Sequence, residues 1–357
     1  MKLELEQPFK SDLKRPIIIS GPCSAESPEQ VMETCVNLAK HNVNILRAGV
    51  WKPRTRPNTF EGVGTEALKW IKDAGKETGL PVTIEVATAK HVEESLEAGI
   101  DILWIGARTT VNPFAVQEIA DALKGVDIPV MVKNPVNPDL ELWLGAFERL
   151  NNSGIKKLAA IHRGFSSYEK GKYRNQPHWE LPIELKRRFP EMPLICDPSH
   201  ITGDRKFLQE VSQEAIDLNY DGLMIESHRD PSVALSDAKQ QVKPDELAEI
   251  LSKLVLRKVS SDNSNFNNKL DELRSQINKI DTQLIDMLSS RMQVVSEIGK
   301  YKKENNITIL QPSRWDEILH KMQELAKGKH LSDRFIMEIF QSIHTESIEI
   351  QNKIMNS

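Results

Sequence analysis

Four residues spread along the chain, Cys23, His200, Glu226 and Asp237, carry a soft sulfur, an imidazole and two carboxylates. Each follows or ends a short apolar run: Cys23 after "PIIISG", His200 in "DPSHITG", Glu226 closing "GLMIE", and Asp237 behind it in "ALSD". Singly, such residues are most often a buried cysteine, a turn histidine or a solvated acid. Together they suit a divalent transition metal better than Mg²⁺, which avoids thiolate. A second set at the ends of apolar runs is cationic: Arg47, Lys52, Arg108, Lys133 and Arg163. Five cations aimed at one place imply a strongly anionic ligand, because arginine forks match phosphate and carboxylate bidentately.

The elements that must bring these residues together are eight β-branched runs: "PIIIS", "NILRAG", "PVTIEVA", "DILWIG", "PVMVK", "KLAAIH", "PLICD" and "GLMIE". Several start after Pro or Gly, as strands often do. Each is near-continuously apolar, which means burial on both faces, as in parallel sheets. Amphipathic segments such as "PEQVMETCVNLAKH" lie between them. Eight βα units over about 250 residues predict an α/β fold, a (β/α)8 TIM barrel, whose function sits at the C-terminal ends of the strands. "GVG" at Gly62 has no strand running into it and is no nucleotide loop. His228 and the histidines of the C-terminal part show no ligand spacing.

The pattern changes near Lys258, giving a barrel over 1–257, a polar linker over 258–268 ("KVSSDNSNFNNK") and a small all-helical domain over 269–357. Leu270, Leu273, Ile277, Ile280, Leu284, Leu288, Val295 and Ile298 form a helical seam about 30 residues long. Two more helices are expected from about Ser313 and Ser332, each with a Ser cap. A long helix with few partners in its own chain suggests packing against a second copy. Arg291 interrupts the seam, and Lys302 falls on the same face. Arg274 is rotated roughly 100° away, toward a different site. Two cations in register suggest a buried dianion more than a snorkelling side chain.

Composition bounds the function. With 39% hydrophobic and 27% charged residues and a formal net charge of −4, neither a nucleic-acid footprint nor a basic membrane-binding face is expected. No apolar run reaches membrane-span length, and the N-terminus lacks a signal-peptide core. Three cysteines, Cys23, Cys35 and Cys196, form no disulfide framework and fit a cytoplasmic protein.

"GPCS", "LRAGVWKPRT", "IGAR", "DPSH" and "MIESH" with "ALSD" span the barrel, and in this order they resemble the type I 3-deoxy-D-arabino-heptulosonate 7-phosphate (DAHP) synthases. That family condenses phosphoenolpyruvate with erythrose 4-phosphate at the head of the shikimate pathway. The resemblance implies that Cys23, His200, Glu226 and Asp237 hold a divalent metal, commonly Mn²⁺. It places Arg47, Lys52, Arg108, Lys133 and Arg163 on phosphoenolpyruvate. Lys52, Pro53, Arg54, Thr55 and Asp237 fall on erythrose 4-phosphate, and Lys52 and His200 are the catalytic side chains. Octulosonate relatives on the same barrel typically carry Asn where Pro53 stands, so "KPRT" favours the four-carbon acceptor. After Lys133 the chain reads "NPVNPD", where many relatives place Arg-Gly.

"LDELRSQINKID", "LSSRMQVVSEIGKYK", "PSRWDEIL" and "FQSIHTESIEIQ" resemble the all-helical chorismate mutases, dimers that convert chorismate to prephenate. The resemblance implies that Arg291, Lys302, Arg314, Ser347 and Gln351 line one site and that Arg274 reaches into the partner's. Arg291, Lys302 and Gln351 would carry catalysis. It also implies a homodimer or higher homo-oligomer. Gln311 stands where an acid is frequent, and Trp315 where the family usually has Glu; Trp315 cannot accept a hydrogen bond. The competing expectation is a non-catalytic helical module that binds prephenate or chorismate and regulates the barrel.

Overall fold

The apolar runs form eight parallel strands: β1 (Ile17–Gly21), β2 (Ile45–Ala48), β3 (Val82–Val86), β4 (Ile102–Ile105), β5 (Val130–Lys133), β6 (Leu158–His162), β7 (Leu194–Cys196) and β8 (Gly222–Glu226). They pair in sequence order into a closed barrel, with β8 returning to β1. This is the TIM barrel, seen in a computed structural model that describes residues 2–10, 13–53, 59–168 and 171–357. Around it run α1 (Pro28–Leu38), α2 (Glu66–Thr78), α3 (Ala89–Glu97), α4 (Ala107–Thr110), α5 (Pro113–Ala122), α6 (Leu140–Asn152), α7 (Glu180–Arg188), α8 (Pro198–Thr202), α9 (Leu208–Asp217) and α10 (Pro244–Ser252).

The unbroken apolarity of the strands has its cause in two cores. Ile17 and Ile19 point into the barrel with Ile45, Ile102, Trp104, Met131 and Met224, while Ile18, Leu46 and Leu103 face the helices. Phe9 and Leu13, from the segment before β1, join the interior cluster. Side chains fix where helices begin: Ser27, Thr88, Asp139 and Asp197 each accept a backbone N–H of the first turn, as N-caps do. Two helices are only a turn or so long, α4 and α8, and both follow a strand's C-terminal end directly.

The chain divides into two compact units, Met1–Val259 and Ser260–Ser357. The second contains α11 (Ser264–Glu304), α12 (Pro312–Lys327) and α13 (Asp333–Asn356). Two expectations need correction. Helix α11 begins inside the stretch read as linker 258–268 and runs 41 residues, because Asn263 accepts the Phe266 N–H at 3.2 Å and so starts a helix. Ser313 is not a cap: Gln311 holds the N-cap position of α12 without a side-chain bond, and Pro312 takes the first turn, where its missing N–H costs nothing. Ser332 does cap α13, accepting from Phe335 N at 3.2 Å. Helix α13 packs on α11 and α12. Gly299 lets it close in, since a Cβ there would lie 3.2 Å from Gln351 Cγ. Among the described residues, no helix is long and apolar enough to cross a membrane.

At the end of β6, His162 is fully buried, with Nε2 2.7 Å from Pro177 O and Nδ1 2.9 Å from the Tyr220 hydroxyl. A carbonyl only accepts, so Nε2 carries the proton and Tyr220 donates to Nδ1. Burial pushes this imidazole down to about 3. Between that value and the unfolded value near 6.5 the unfolded chain binds one more proton, so stability falls as the pH falls. From pH 7 to pH 5 the unfolding free energy should drop by about 2 kcal/mol on account of His162. Denaturant midpoints across that range, with the non-titrating His162→Gln protein showing a flatter profile, check this.

Candidate active site

The motif "DPSH" works as a unit. Asp197 follows β7 and caps α8, its Oδ1 accepting the His200 N–H at 3.1 Å. Its Oδ2 lies 2.8 Å from Lys133 Nζ, at the end of β5, and 2.8 Å from His200 Nδ1. Burial opposes the Asp197 charge, but His200 and Lys133 outweigh it and hold the carboxyl well below the usual range. For His200 burial wins over the pull of Asp197, lowering its pKa and favouring neutral imidazole. Its Nε2 faces Glu226 Oε1 at 3.8 Å.

Glu226 is fully buried at the end of β8. Its Oε1 takes Arg47 Nη1 at 3.0 Å and its Oε2 takes Gln240 Nε2 at 2.7 Å. Burial works against its charge, yet His200, Arg47 and Lys52 keep its pKa lowered. Across the mouth, the Cys23 thiol lies 3.4 Å from Asp237 Oδ2 and accepts from Lys52 Nζ at 3.0 Å. Burial, reinforced by the Glu226 charge, pushes that thiol up to about 12. Asp237 is held below the ordinary carboxylate range, with His200 and Arg174 outweighing burial. The four candidate ligands thus stand as two facing pairs, Cys23–Asp237 and His200–Glu226, bridged by cations. Among the described residues, no three of such side chains form a ready-made ion cage.

The cations gather on the same rim. Arg47 lies over the Trp104 ring at 4.9 Å and Lys133 at 5.7 Å. Trp104 donates to Glu85 Oε2 at 3.1 Å, and Gly106 is needed because a Cβ there would sit 2.0 Å from Glu85 Oε1. Gly106 is also the N-cap of α4, which carries Arg108. Arg163 is 7% exposed. It donates to Asn175 Oδ1 at 3.0 Å and more weakly to Gly164 O. Burial pushes it down to about 10 against the pull of Asp197. Pro53 is half-buried, while Arg54 and Thr55 lie outside the described residues.

Sequence reasoning missed Asp197, Arg174, Gln240, Gln241 and Asn134. Asn134, the first residue of "NPVNPD", is buried; it accepts from Arg163 N at 2.7 Å and donates to Gly164 O at 2.9 Å. It therefore ties the ends of β5 and β6 together. The cap signature "D-P" before His200 was the available signal for Asp197; nothing local marks the others.

In the helical unit, Arg291 donates to Ser347 Oγ at 2.8 Å, and Gln351, one turn on, packs at Gly299. Lys302 reaches Ile309 O at 2.6 Å, and burial lowers its pKa. Arg314 pairs with Glu317 on the surface and Arg274 with Asp271, its side chain 65% exposed. Arg291, Ser347 and Gln351 therefore meet where α13 packs on α11, Lys302 turns to the segment that follows α11, and Arg314 and Arg274 pair on the surface. Trp315 stacks on His344 at 4.0 Å between ring centroids.

The profile described as "DAHP synthetase I family" matches residues 6–260, and "Chorismate mutase type II" matches residues 273–352. A phospho-2-dehydro-3-deoxyheptonate aldolase of Thermotoga maritima is 33% identical over 225 residues, 63% of this chain and 64% of that relative. The chain thus spans just under two thirds of that curated relative. A 2-dehydro-3-deoxyphosphooctonate aldolase of Desulfotalea psychrophila is 26% identical over 67% of this chain and 88% of its own. Among solved structures, the Thermotoga maritima DAHP synthase superposes with a TM-score of 0.61 at 32% identity, over 66% of this chain and 67% of that one. Its truncated form gives 0.61 at 28%, over 70% and 90%.

Asp197 carries the rim's charge balance, so Asp197→Ala leaves Lys133 buried without its partner. Removing one member of a buried pair typically costs about 3–5 kcal/mol. Equilibrium denaturation of the variant should show a loss of that order.

Proposed function

The chain belongs to the DAHP synthetase I family over residues 6–260, and from that premise we propose that its barrel condenses phosphoenolpyruvate with erythrose 4-phosphate. The enol carbon joins the aldehyde carbon, one water is consumed and inorganic phosphate leaves. Arg163 carries the anion half of this reading: a cation 7% exposed whose hydrogen bonds, among the described residues, go only to neutral acceptors. A charge so placed calls for an anionic ligand. Arg108, Lys133 and Arg163 clamp the phosphate and carboxylate of phosphoenolpyruvate, with Arg47 and Lys52 beside them. Lys52, Pro53, Arg54, Thr55 and Asp237 hold erythrose 4-phosphate. The "KPRT" stretch supports this acceptor over the longer sugar phosphate of an octulosonate synthase.

The donor chemistry fits a divalent transition metal: Cys23, His200, Glu226 and Asp237 would hold it with one sulfur, one imidazole nitrogen and two carboxylates. Asp197 Oδ2 lies 2.8 Å from His200 Nδ1, a contact without hydrogen-bond geometry, where a metal-binding histidine would take its orienting partner. When bound, such an ion, Mn²⁺ or a close relative, supplies Lewis-acid polarisation of the aldehyde oxygen. Lys52 donates at the aldehyde end, and the buried cations orient the enol. This chemistry and the three cysteines, none in a disulfide, support a cytoplasmic location.

For the helical unit we infer the rearrangement of chorismate to prephenate. Arg291 binds a carboxylate with Ser347 beside it, and Arg314, paired with Glu317 on the surface, would turn from that partner to join them. Lys302 and Gln351 donate to the ether oxygen, where charge develops in the transition state. Ile277, Ile280 and Leu284 are each 55% exposed on α11, which supports a homodimer or larger assembly in which Arg274 serves a second copy's site. Light scattering should return a mass of at least two chains. The Trp315–His344 stack, where a hydroxyl-binding acid is usual, favours a second reading: a module whose bound prephenate or chorismate inhibits the barrel by differential affinity.

Cys23→Ala should abolish phosphate release while sparing prephenate formation, and Arg291→Ala should do the reverse. Normal synthase turnover in Cys23→Ala would sink the barrel assignment. A folded chain that binds prephenate without forming it would leave the helical unit a sensor.

A further inference from the structure

We propose that Gln240 and Arg174 are positioning residues that each hold the outer oxygen of one metal-binding carboxylate, so that Glu226 and Asp237 present single oxygens and the site selects a transition-metal ion over Ca²⁺. This rests on the metal reading above and goes beyond it by naming what sets the coordination mode.

The contacts form a closed chain. Gln240 is 1% exposed; its Nε2 donates to Glu226 Oε2 at 2.7 Å and its Oε1 accepts from Arg174 Nη1 at 3.0 Å. The same Arg174 nitrogen lies 3.0 Å from Asp237 Oδ1. Both outer oxygens are thus tied to one another through two side chains. The inner oxygens face the other two ligands, Glu226 Oε1 toward His200 Nε2 at 3.8 Å and Asp237 Oδ2 toward Cys23 Sγ at 3.4 Å. Glu226 Oε1 also takes Arg47. Gln241 extends the chain to the fourth ligand's backbone, accepting from Cys23 N at 2.9 Å and donating to Ser236 O at 2.9 Å.

The backbone is shaped to the same end. Asp237 has a φ of +46°, a left-handed conformation uncommon outside glycine but one that Asp tolerates better than most. That turn, closed by Gln240 N on Asp237 O at 3.1 Å, lets Asp237 and Gln240 address two different carboxylate partners from one loop. Arg174 arrives from the separate loop between β6 and α7.

Coordination chemistry gives the arrangement its consequence. Ca²⁺ takes six to eight oxygens and often uses carboxylates bidentately. One sulfur, one nitrogen and single carboxylate oxygens suit transition metals instead. Releasing an outer oxygen therefore allows a bidentate carboxylate and narrows the discrimination.

The test titrates the metal-stripped full chain with Co²⁺, following the thiolate-to-cobalt absorption, and then competes with Ca²⁺. Wild type should show the band and resist Ca²⁺. Gln240→Met, which keeps the shape and removes the donor, should weaken Co²⁺ binding by about 10–100-fold and let Ca²⁺ compete at lower concentration. Arg174→Met should do the same through Asp237, and Arg174→Lys should restore much of the affinity. Folded variants with wild-type affinity and Ca²⁺ resistance would overturn the proposal. No cobalt band in wild type would overturn the metal reading itself, a distinguishable failure. Should Gln240→Met not fold, the half-exposed Arg174 pair of variants decides.

Discussion

A carboxylate cut off from water has to be neutralised on the spot, and among the described residues the rim of this barrel contains two, Asp197 and Glu226, both fully buried. Lys133 answers the first at 2.8 Å and Arg47 the second at 3.0 Å. An isolated buried ion costs several kcal/mol even after relaxation, so neither acid could stand there alone. The cations in turn rest against the Trp104 ring, which belongs to the barrel interior. Charge balance, aromatic support and strand register are thus one constraint.

That constraint explains how a fold serves a site. The β1–β8 register sets Gly21 beside Glu226, and β6–β7 pairing sets His162 beside Cys196, so the strand ends form a common rim. From there α8 turns His200 inward through the Asp197 cap, and α4 places Arg108 after the glycine that clears Glu85. The rim combines a partnered half, carboxylates with cations, and Arg163, with neutral hydrogen-bond acceptors. An electrostatically preorganised mouth of this kind does its work before the substrate arrives.

The eight strands were legible because burial on both faces leaves an unbroken apolar run, a signal local to a few residues. Most of the candidate ligands and cations stood out because they lie at or shortly after the ends of those runs, with Asp237 in the loop beyond β8. What was hidden is the polar scaffolding. Arg174 and Asp237 are far apart in sequence, and Gln240 reads as an ordinary loop residue until Glu226 stands 2.7 Å away. Burial converts such residues into partners, and burial of a loop has no local periodicity. The helical unit erred in the other direction: Asn263, in a polar stretch that looked like a linker, turned out to cap a helix.

The central claim is that the rim joins a three-carbon enol phosphate to a four-carbon aldehyde phosphate. Mass analysis of the product tests it most directly, with intact protein given phosphoenolpyruvate and a divalent metal, and erythrose 4-phosphate competing against a five-carbon sugar phosphate. The account predicts a seven-carbon 3-deoxy sugar acid phosphate with one inorganic phosphate released per molecule. An eight-carbon product, or phosphate release without carbon–carbon bond formation, would contradict it.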